Sequence, residues 1–312
     1  MDKNFGMELV RATELAALTA ALHQGQGKPV ELLNASRESL IRGLNRINVK
    51  GRLVIDRLKG EEFVQLPVEV GSGQVDMDLT AVAVEGFEAT AQGKNNAASY
   101  AAIAKPGNLR PLPRMWMNML VVPQEAHGLV SIDQSPIINI KRVARALGKY
   151  TENVTVCVLD VPRHQELIAQ ILECGARIKR LEAGEISGAL AALTGTADLF
   201  MGIGLAPDAV MISAAIRCLG GYLEGRLQPT SEMQKEQIKS CKLKEGAVLR
   251  VENLVPTQEV SFAATGITHG EFLGGVRFTR NGAVTHSFVA RGESRTFRRM
   301  ETTHFFDHVP VF

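Results

Sequence analysis

No apolar run in this sequence approaches the ~20 residues that a membrane-spanning helix needs, so no membrane partner is expected. No internal repeat or low-complexity tract interrupts its 312 residues, a length that holds one large or two medium domains with real cores. Charge of one sign is also scarce. The 35 Lys and Arg against 33 Asp and Glu leave a net charge of +2 and a pI near 8.3. That is too mild for nucleic acid, which demands a concentrated basic face, and it suits a protein that binds small anions locally. The four cysteines, Cys157, Cys174, Cys218 and Cys241, show no C-x-x-C spacing. The first three sit in apolar patterns, so buried thiols in a reducing compartment are expected. The opening Met1-Asp2-Lys3-Asn4 has no apolar signal core behind it, and a cytoplasmic location is the expectation. What is present, 45% hydrophobic and 22% charged residues, is ordinary for a globular protein.

Met7 to His23 carries Leu15, Leu18 and Leu22 on one stripe and reads as a helix. A second helix is expected from about Ala35 to Ile47, closed by the turn signal Asn48-Val49-Lys50-Gly51. Leu53–Ile55, Val68–Val70, Ala81–Val84 and Met119–Val122 read as strands, and Lys105–Pro113, rich in Pro, Gly and Asn, reads as a loop. After about Gly128 strand-like and helical runs alternate. Val154–Leu159, Arg177–Leu181 and Leu199–Met201 are strand-like, while Arg163–Glu173, Glu185–Leu193 and Asp208–Leu219 are helical. The tail returns to strands at Val248–Val251, Val260–Ala263, Val276–Phe278 and Ser287–Val289, with a hairpin signal at Asn281-Gly282. The expected fold class is α/β, with an α+β half over residues 1–128 and an α/β half over 129–312.

Several segments carry recognisable patterns. Arg11-Ala12-Thr13-Glu14-Leu15-Ala16-Ala17 opens the first helix, and Ala81-Val82-Ala83-Val84-Glu85-Gly86-Phe87-Glu88-Ala89-Thr90 ends a strand. Pro162-Arg163-His164 and Gly202-Ile203-Gly204-Leu205-Ala206-Pro207-Asp208 follow. Ala264-Thr265-Gly266-Ile267-Thr268 and Arg291-Gly292-Glu293-Ser294-Arg295-Thr296 lie in the tail. Any one of these is weak. In this order and at this spacing they resemble the class II fructose-1,6-bisphosphatases, which belong to the lithium-sensitive, metal-dependent sugar and inositol phosphatases. The resemblance covers nearly the whole chain. It implies a layered sugar-phosphatase fold, with metal-site loops in the first half and sugar-phosphate-binding segments in the second.

The departures from the family pattern fall on acidic residues. Its A-V-D-P-I-E-G-T motif keeps Glu88 and Thr90 here, but Glu85 replaces Asp and Gly86 replaces Pro. Leu33 falls where the family has a ligand Asp, and Arg57 where it has a ligand Glu. Asp208 replaces the Glu of G-A-P-E-G. The resemblance therefore implies metal ligands at Glu85, Glu88 and Asp208, a reacting centre near Glu88 and Thr90, and lost ligand positions at Leu33 and Arg57. Hard cations need several oxygen donors from separate segments, and Mg²⁺ tolerates geometric error badly. Leucine has no donor oxygen and arginine repels a cation. Asp56 and Glu61 are candidate substitutes, and Arg57 can hold a phosphate bidentately without metal or be a surface residue in a charged loop.

Other residues carry two readings each. Arg163 and His164 open a helix, where N–H groups favour an anion or where the polarity is simply that of a helix start; the resemblance implies a phosphate contact by Arg163 and a structural neighbour in His164. Asp208 also serves as a first-turn acid with no ligand role. Gly184-Glu185 resembles the family's sugar-approaching G-D, or is a turn that caps a helix. Trp116, the only tryptophan, replaces a family Tyr near substrate and either stacks on a sugar or packs in the core. Gly202-Ile203-Gly204 lacks the third glycine of a dinucleotide loop. Arg291, Arg295, Arg298 and Arg299 read as the solvent side of a strand at a subunit contact.

The activity implied is hydrolysis of the 1-phosphate of fructose 1,6-bisphosphate in gluconeogenesis and glycerol metabolism, dependent on Mg²⁺ or Mn²⁺. Some family members also accept sedoheptulose 1,7-bisphosphate. The losses at Leu33 and Arg57 point to weakened turnover. The alternative is an inactive paralogue without metal that binds sugar phosphates or pairs with an active family member. A homo-oligomer is the default expectation, and a hetero-oligomer belongs to the alternative.

Overall fold

The computed structural model describes residues 5–56 and 68–306. The chain forms two compact units, residues 1–109 with 257–312 and residues 110–256. This differs from a single boundary near Gly128. The tail strands hydrogen-bond to strands of the first unit, so the chain returns to the sheet it began.

In the first unit, the Ala- and Leu-rich opening forms α1 (Phe5–Leu22), which packs on α2 (Pro29–Leu44). Gly43 permits the close approach, since a Cβ there would lie 2.6 Å from the Ala12 Cα. The strands are β1 (Lys50–Asp56), β2 (Val68–Val70) and β3 (Asp76–Glu85). The short helix α3 (Phe87–Ala91) and β4 (Ala98–Ala104) follow. All but the first residue of β3, and every residue of β4, are buried. Neither strand shows the alternation that betrays a half-exposed strand, which is why β4 escaped the sequence reading and β3 was seen only at its end.

The second unit contains β5 (Trp116–Val122), α4 (Pro136–Ala146), β6 (Thr155–Leu159) and α5 (Gln165–Glu173). Then come β7 (Arg177–Leu181), α6 (Glu185–Leu193), β8 (Leu199–Leu205) and α7 (Ala206–Leu219). It closes with β9 (Tyr222–Gln228), α8 (Glu232–Ser240), β10 (Val248–Arg250) and α9 (Val251–Leu254). Its six-stranded sheet runs β10-β9-β5-β8-β6-β7, parallel at β8-β6-β7 and antiparallel elsewhere. Val156, Val158, Leu199 and Met201 share a core with Ile140 and Val143 of α4 and Ile168 and Ile171 of α5. Phe200 points the other way, against Gly188 of α6, so helices cover both faces. Val251 was expected to end a strand. Instead the Asn253 side chain accepts from the Arg250 N–H at 2.8 Å and starts α9.

The chain returns to the first unit with β11 (Val260–Gly266), β12 (Arg277–Thr279), β13 (Gly282–Arg291) and β14 (Thr296–Phe305). The eight-stranded sheet runs β12-β13-β11-β4-β3-β1-β2, with β14 on β13. Only β1-β3 is parallel among these pairs. Thus the fold is mixed α/β with two mixed sheets, as a layered phosphatase fold requires. The expected hairpin is present, with Arg280 and Asn281 at its turn. Gly282 lies inside β13, where a Cβ would collide with the His304 carbonyl. Arg295 occupies a left-handed turn (φ 48°) rather than a strand face. Arg299 lies over the Phe272 and Phe288 rings, at 5.3 and 5.8 Å.

The cysteines are all free, with Cys157 and Cys218 buried and Cys174 and Cys241 half-buried. Among the described residues no helix is long and apolar enough to cross a membrane.

Candidate active site

In the first unit, β3 ends at Glu85, which is buried, and the Tyr100 hydroxyl on β4 donates to its Oε2 at 3.0 Å. Gly86 follows with φ 76°, a left-handed conformation open to glycine. Proline, fixed near φ −65°, cannot adopt it. The reversal starts α3, in which the Thr90 hydroxyl donates to the Gly86 carbonyl at 2.9 Å. Glu88 is exposed on α3. Leu33 is half-buried in α2 and offers no oxygen. Arg57 and Glu61 lie outside the described residues, and Asp56 is the last residue of β1.

In the second unit, Glu185 and Asp208 come together. Glu185 is the first residue of α6, after Gly184 at φ 101°. Asp208 lies in the first turn of α7, after Pro207. Both are buried, and each offers a carboxylate oxygen within 4.8 Å of the other's. Helix N-termini favour the negative charge. Two buried carboxylates this close repel, and a cation relieves that repulsion. Room for Glu185 comes from Gly204 on β8, where a Cβ would sit 2.7 Å from the Glu185 Cγ and the Met119 Cε. Gly202 makes the same room for His164, whose Cε1 would lie 3.0 Å from an added Cβ. The Gly-Ile-Gly segment is therefore strand, shaped to seat two side chains, and not a phosphate-cradling loop.

Arg163 and His164 occupy a 3₁₀ turn (Pro162–His164) that leads into α5. Arg163 Nε donates to the Ile203 carbonyl at 3.0 Å, and its Nη2 is 3.6 Å from Glu185 Oε1. The guanidinium also lies over the Trp116 ring, 4.6 Å from its centroid. Trp116 is 40% exposed, so it is neither a core residue nor an empty platform. His164 is buried between β6 and β8. The Ile203 N–H donates to Nε2 at 2.8 Å, so Nδ1 carries the proton and donates to the Leu159 carbonyl at 2.9 Å. Burial pushes this imidazole below the usual histidine range, with the Leu159 bond acting against it and the Arg163 charge reinforcing it.

The family model for "Bacterial fructose-1,6-bisphosphatase, glpX-encoded" matches residues 3–304. The chain belongs to the class II fructose-1,6-bisphosphatase family. Among its relatives is a D-fructose 1,6-bisphosphatase class 2/sedoheptulose 1,7-bisphosphatase of Synechococcus sp. strain JA-2-3B'a(2-13). It is 35% identical, over 98% of this chain and 97% of the relative. Proteins of the same description from Synechococcus elongatus and Microcystis aeruginosa are 33% and 32% identical, with 99% and 98% of this chain covered and 98% of each relative.

Class II fructose-1,6-bisphosphatases are metal-dependent, and the oxygen donors of Glu185 and Asp208 suit a hard cation such as Mg²⁺ or Mn²⁺. Leu33 does not. The sequence reading missed two supports of this class II fructose-1,6-bisphosphatase fold. Tyr100, which holds Glu85, sits in an unbroken buried strand and gave no signal. The pairing of Glu185 with Asp208 joins the starts of two helices that no local pattern links.

Proposed function

We propose that this chain hydrolyses the 1-phosphate of fructose 1,6-bisphosphate with Mg²⁺ or Mn²⁺, more slowly than family members that keep every acidic ligand. The observation that carries the reading is the buried, helix-opening carboxylate pair Glu185 and Asp208 beside the cationic Arg163. The relatives' printed names give fructose 1,6-bisphosphate and sedoheptulose 1,7-bisphosphate as substrates of those proteins, and the former is the substrate proposed here. Glu85, Glu88 and Asp208 are the proposed metal ligands, with Glu185 as a further carboxylate. A bound divalent cation supplies charge neutralisation at the phosphate and a bound water of lowered pKa. Arg163 binds a phosphate of the substrate, and Gly184-Glu185 lies toward the sugar. Thr90, whose hydroxyl donates to the Gly86 carbonyl and keeps two lone pairs to accept, belongs to the proposed reacting end. The protein works as a cytoplasmic homo-oligomer. The test is phosphate release from fructose 1,6-bisphosphate with Mg²⁺ or Mn²⁺, beside an intact relative. Turnover several orders of magnitude lower is expected, and turnover within about tenfold of the relative contradicts the weakening.

A second reading rests on Leu33 and Arg57, which together remove two acidic ligands and add a cation. It is a non-catalytic paralogue that binds sugar phosphates without metal or pairs with an active family member. Metal-free binding with no phosphate release under any metal condition would favour it. In either reading Arg163→Ala removes most of the binding of fructose 6-phosphate in EDTA, because a charge-assisted contact to phosphate is lost.

A further inference from the structure

Trp116 stands neither in the core nor as an open platform. Its ring carries the Arg163 guanidinium at 4.6 Å. The same guanidinium is fixed by its Nε bond to the Ile203 carbonyl, at 3.0 Å. Ile203 is itself pinned, because its N–H donates to the buried His164. The Arg163 Nη2 lies 3.6 Å from Glu185 Oε1. One edge of the guanidinium is thus held by backbone and one face by the indole. The outer edge meets a carboxylate at a distance longer than the ~2.8 Å of a well-formed charge-assisted bond.

We infer that Trp116 is a positioning residue that holds the Arg163 guanidinium ready for phosphate, and that Glu185 is the carboxylate an arriving phosphate displaces from it. The inference rests on the proposed phosphate contact by Arg163. An arginine side chain carries much rotamer freedom, and a stacked face with a fixed Nε removes most of it before the ligand arrives. The fork then lies in one plane with its outer nitrogens open to a bidentate acceptor. A phosphate brings more negative charge and shorter contacts than Glu185 makes, so the exchange runs toward the ligand. From the start of α6 the Glu185 side chain reaches the fork with Oε1. The exchange also leaves the Glu185 carboxylate without its cation, beside Asp208.

Trp116 is the chain's only tryptophan, so its fluorescence reads the stack directly. In ligand-free protein, Arg163→Met is expected to change the Trp116 emission relative to wild type. Fructose 1,6-bisphosphate titrated in EDTA is expected to change it again in wild type as the guanidinium is drawn to phosphate. By calorimetry in EDTA, Trp116→Leu weakens binding about two- to fivefold, the range of an exposed cation–π contact, and Trp116→Tyr recovers most of the loss. Glu185→Gln tightens binding at least about twofold, because a competing carboxylate is gone. Unchanged binding in Glu185→Gln refutes the displaced carboxylate. Unchanged emission in Arg163→Met refutes the stack. Trp116→Leu binding as tightly as wild type refutes the positioning role while the phosphate contact stands. Undiminished binding in Arg163→Met overturns the contact and the inference together.

Discussion

His164 and Ile203 are joined through a single hydrogen bond of 2.8 Å in which the Ile203 N–H donates to Nε2. The carbonyl of the same residue accepts from Arg163. The imidazole and Arg163 are therefore linked through one residue, Ile203, and the protonation state of the ring matters to the fold. A protonated ring would turn a second donor toward the Ile203 N–H.

Stability should therefore fall on the acid side of neutrality. The unfolded histidine takes up a proton near the ordinary histidine value of about 6.5, whereas the folded one, lowered by burial, does so only at lower pH. The unfolded state then binds more protons between those values, and stability falls with falling pH. The contribution is complete above about pH 6.5 and is lost progressively below it. Urea midpoints of wild type and His164→Gln measured from about pH 8 to pH 5 should diverge at neutral pH and converge toward acid. A constant gap would contradict the assignment. His164→Ala, which opens a cavity and orphans the Ile203 N–H, should cost about 2–4 kcal/mol.

Gly86→Pro should be far more damaging than its resemblance to the family motif suggests. A φ of 76° is closed to proline and costly for any residue with a Cβ. Gly86→Ala is expected to lower stability by about 1 kcal/mol and Gly86→Pro by about 3 kcal/mol or more. Thermal and urea unfolding would measure both. A proline variant as stable as wild type would show that this loop also accepts the family's conformation.

Leu33→Asp with Arg57→Glu should raise Mg²⁺ affinity and phosphate release together. Each change alone should do little, because a hard cation needs several ligands at once. Calorimetric titration of the double variant with no gain over the parent would show that these positions do not align with the family's ligands.

Glu224 anchors the far side of the second sheet and should be a stability residue. It is buried, accepts from the Tyr222 hydroxyl at 2.6 Å and Arg250 at 2.8 Å through Oε1, and from the Ile132 N–H at 2.8 Å through Oε2. Burial alone would raise its pKa, but these donors outweigh burial and hold it below the usual glutamate range. Its contribution is present above about pH 4.3 and disappears as pH falls through the lower folded value. Glu224→Ala is expected to cost roughly 3 kcal/mol at neutral pH, with the deficit shrinking in acid. Equal unfolding midpoints at neutral pH would count against this.

Much of the framework was legible locally. The apolar stripe of Leu15 and Leu18 marks α1, and the alternating runs after Gly128 mark β6 to α7, with β7 and α6 matched at both ends. The buried strand β4 was not legible, since its residues are apolar or small on both faces. β14 is exposed along most of its length, and of its residues only the Arg298 and Arg299 pair was legible, as the solvent side of a strand. The two compact units divide the chain differently from a single boundary near Gly128, for a topological reason. The strand after residue 256 hydrogen-bonds to β4, and nothing within that strand names its neighbour.

The sequence by itself determined the family, through ordered motifs across nearly the whole chain, and the residue types, leucine and arginine, at positions 33 and 57. Both are properties of residue type at a position. Tertiary structure alone decided what those residues touch. It set Tyr100 against Glu85, Glu185 beside Asp208, and Trp116 over Arg163. It also made the glycines of Gly-Ile-Gly into seats for Glu185 and His164. Each of these contacts joins elements far apart in the chain. Sheet order and helix packing bring them together, and hydrogen bonding, charge and excluded volume act only at contact distance.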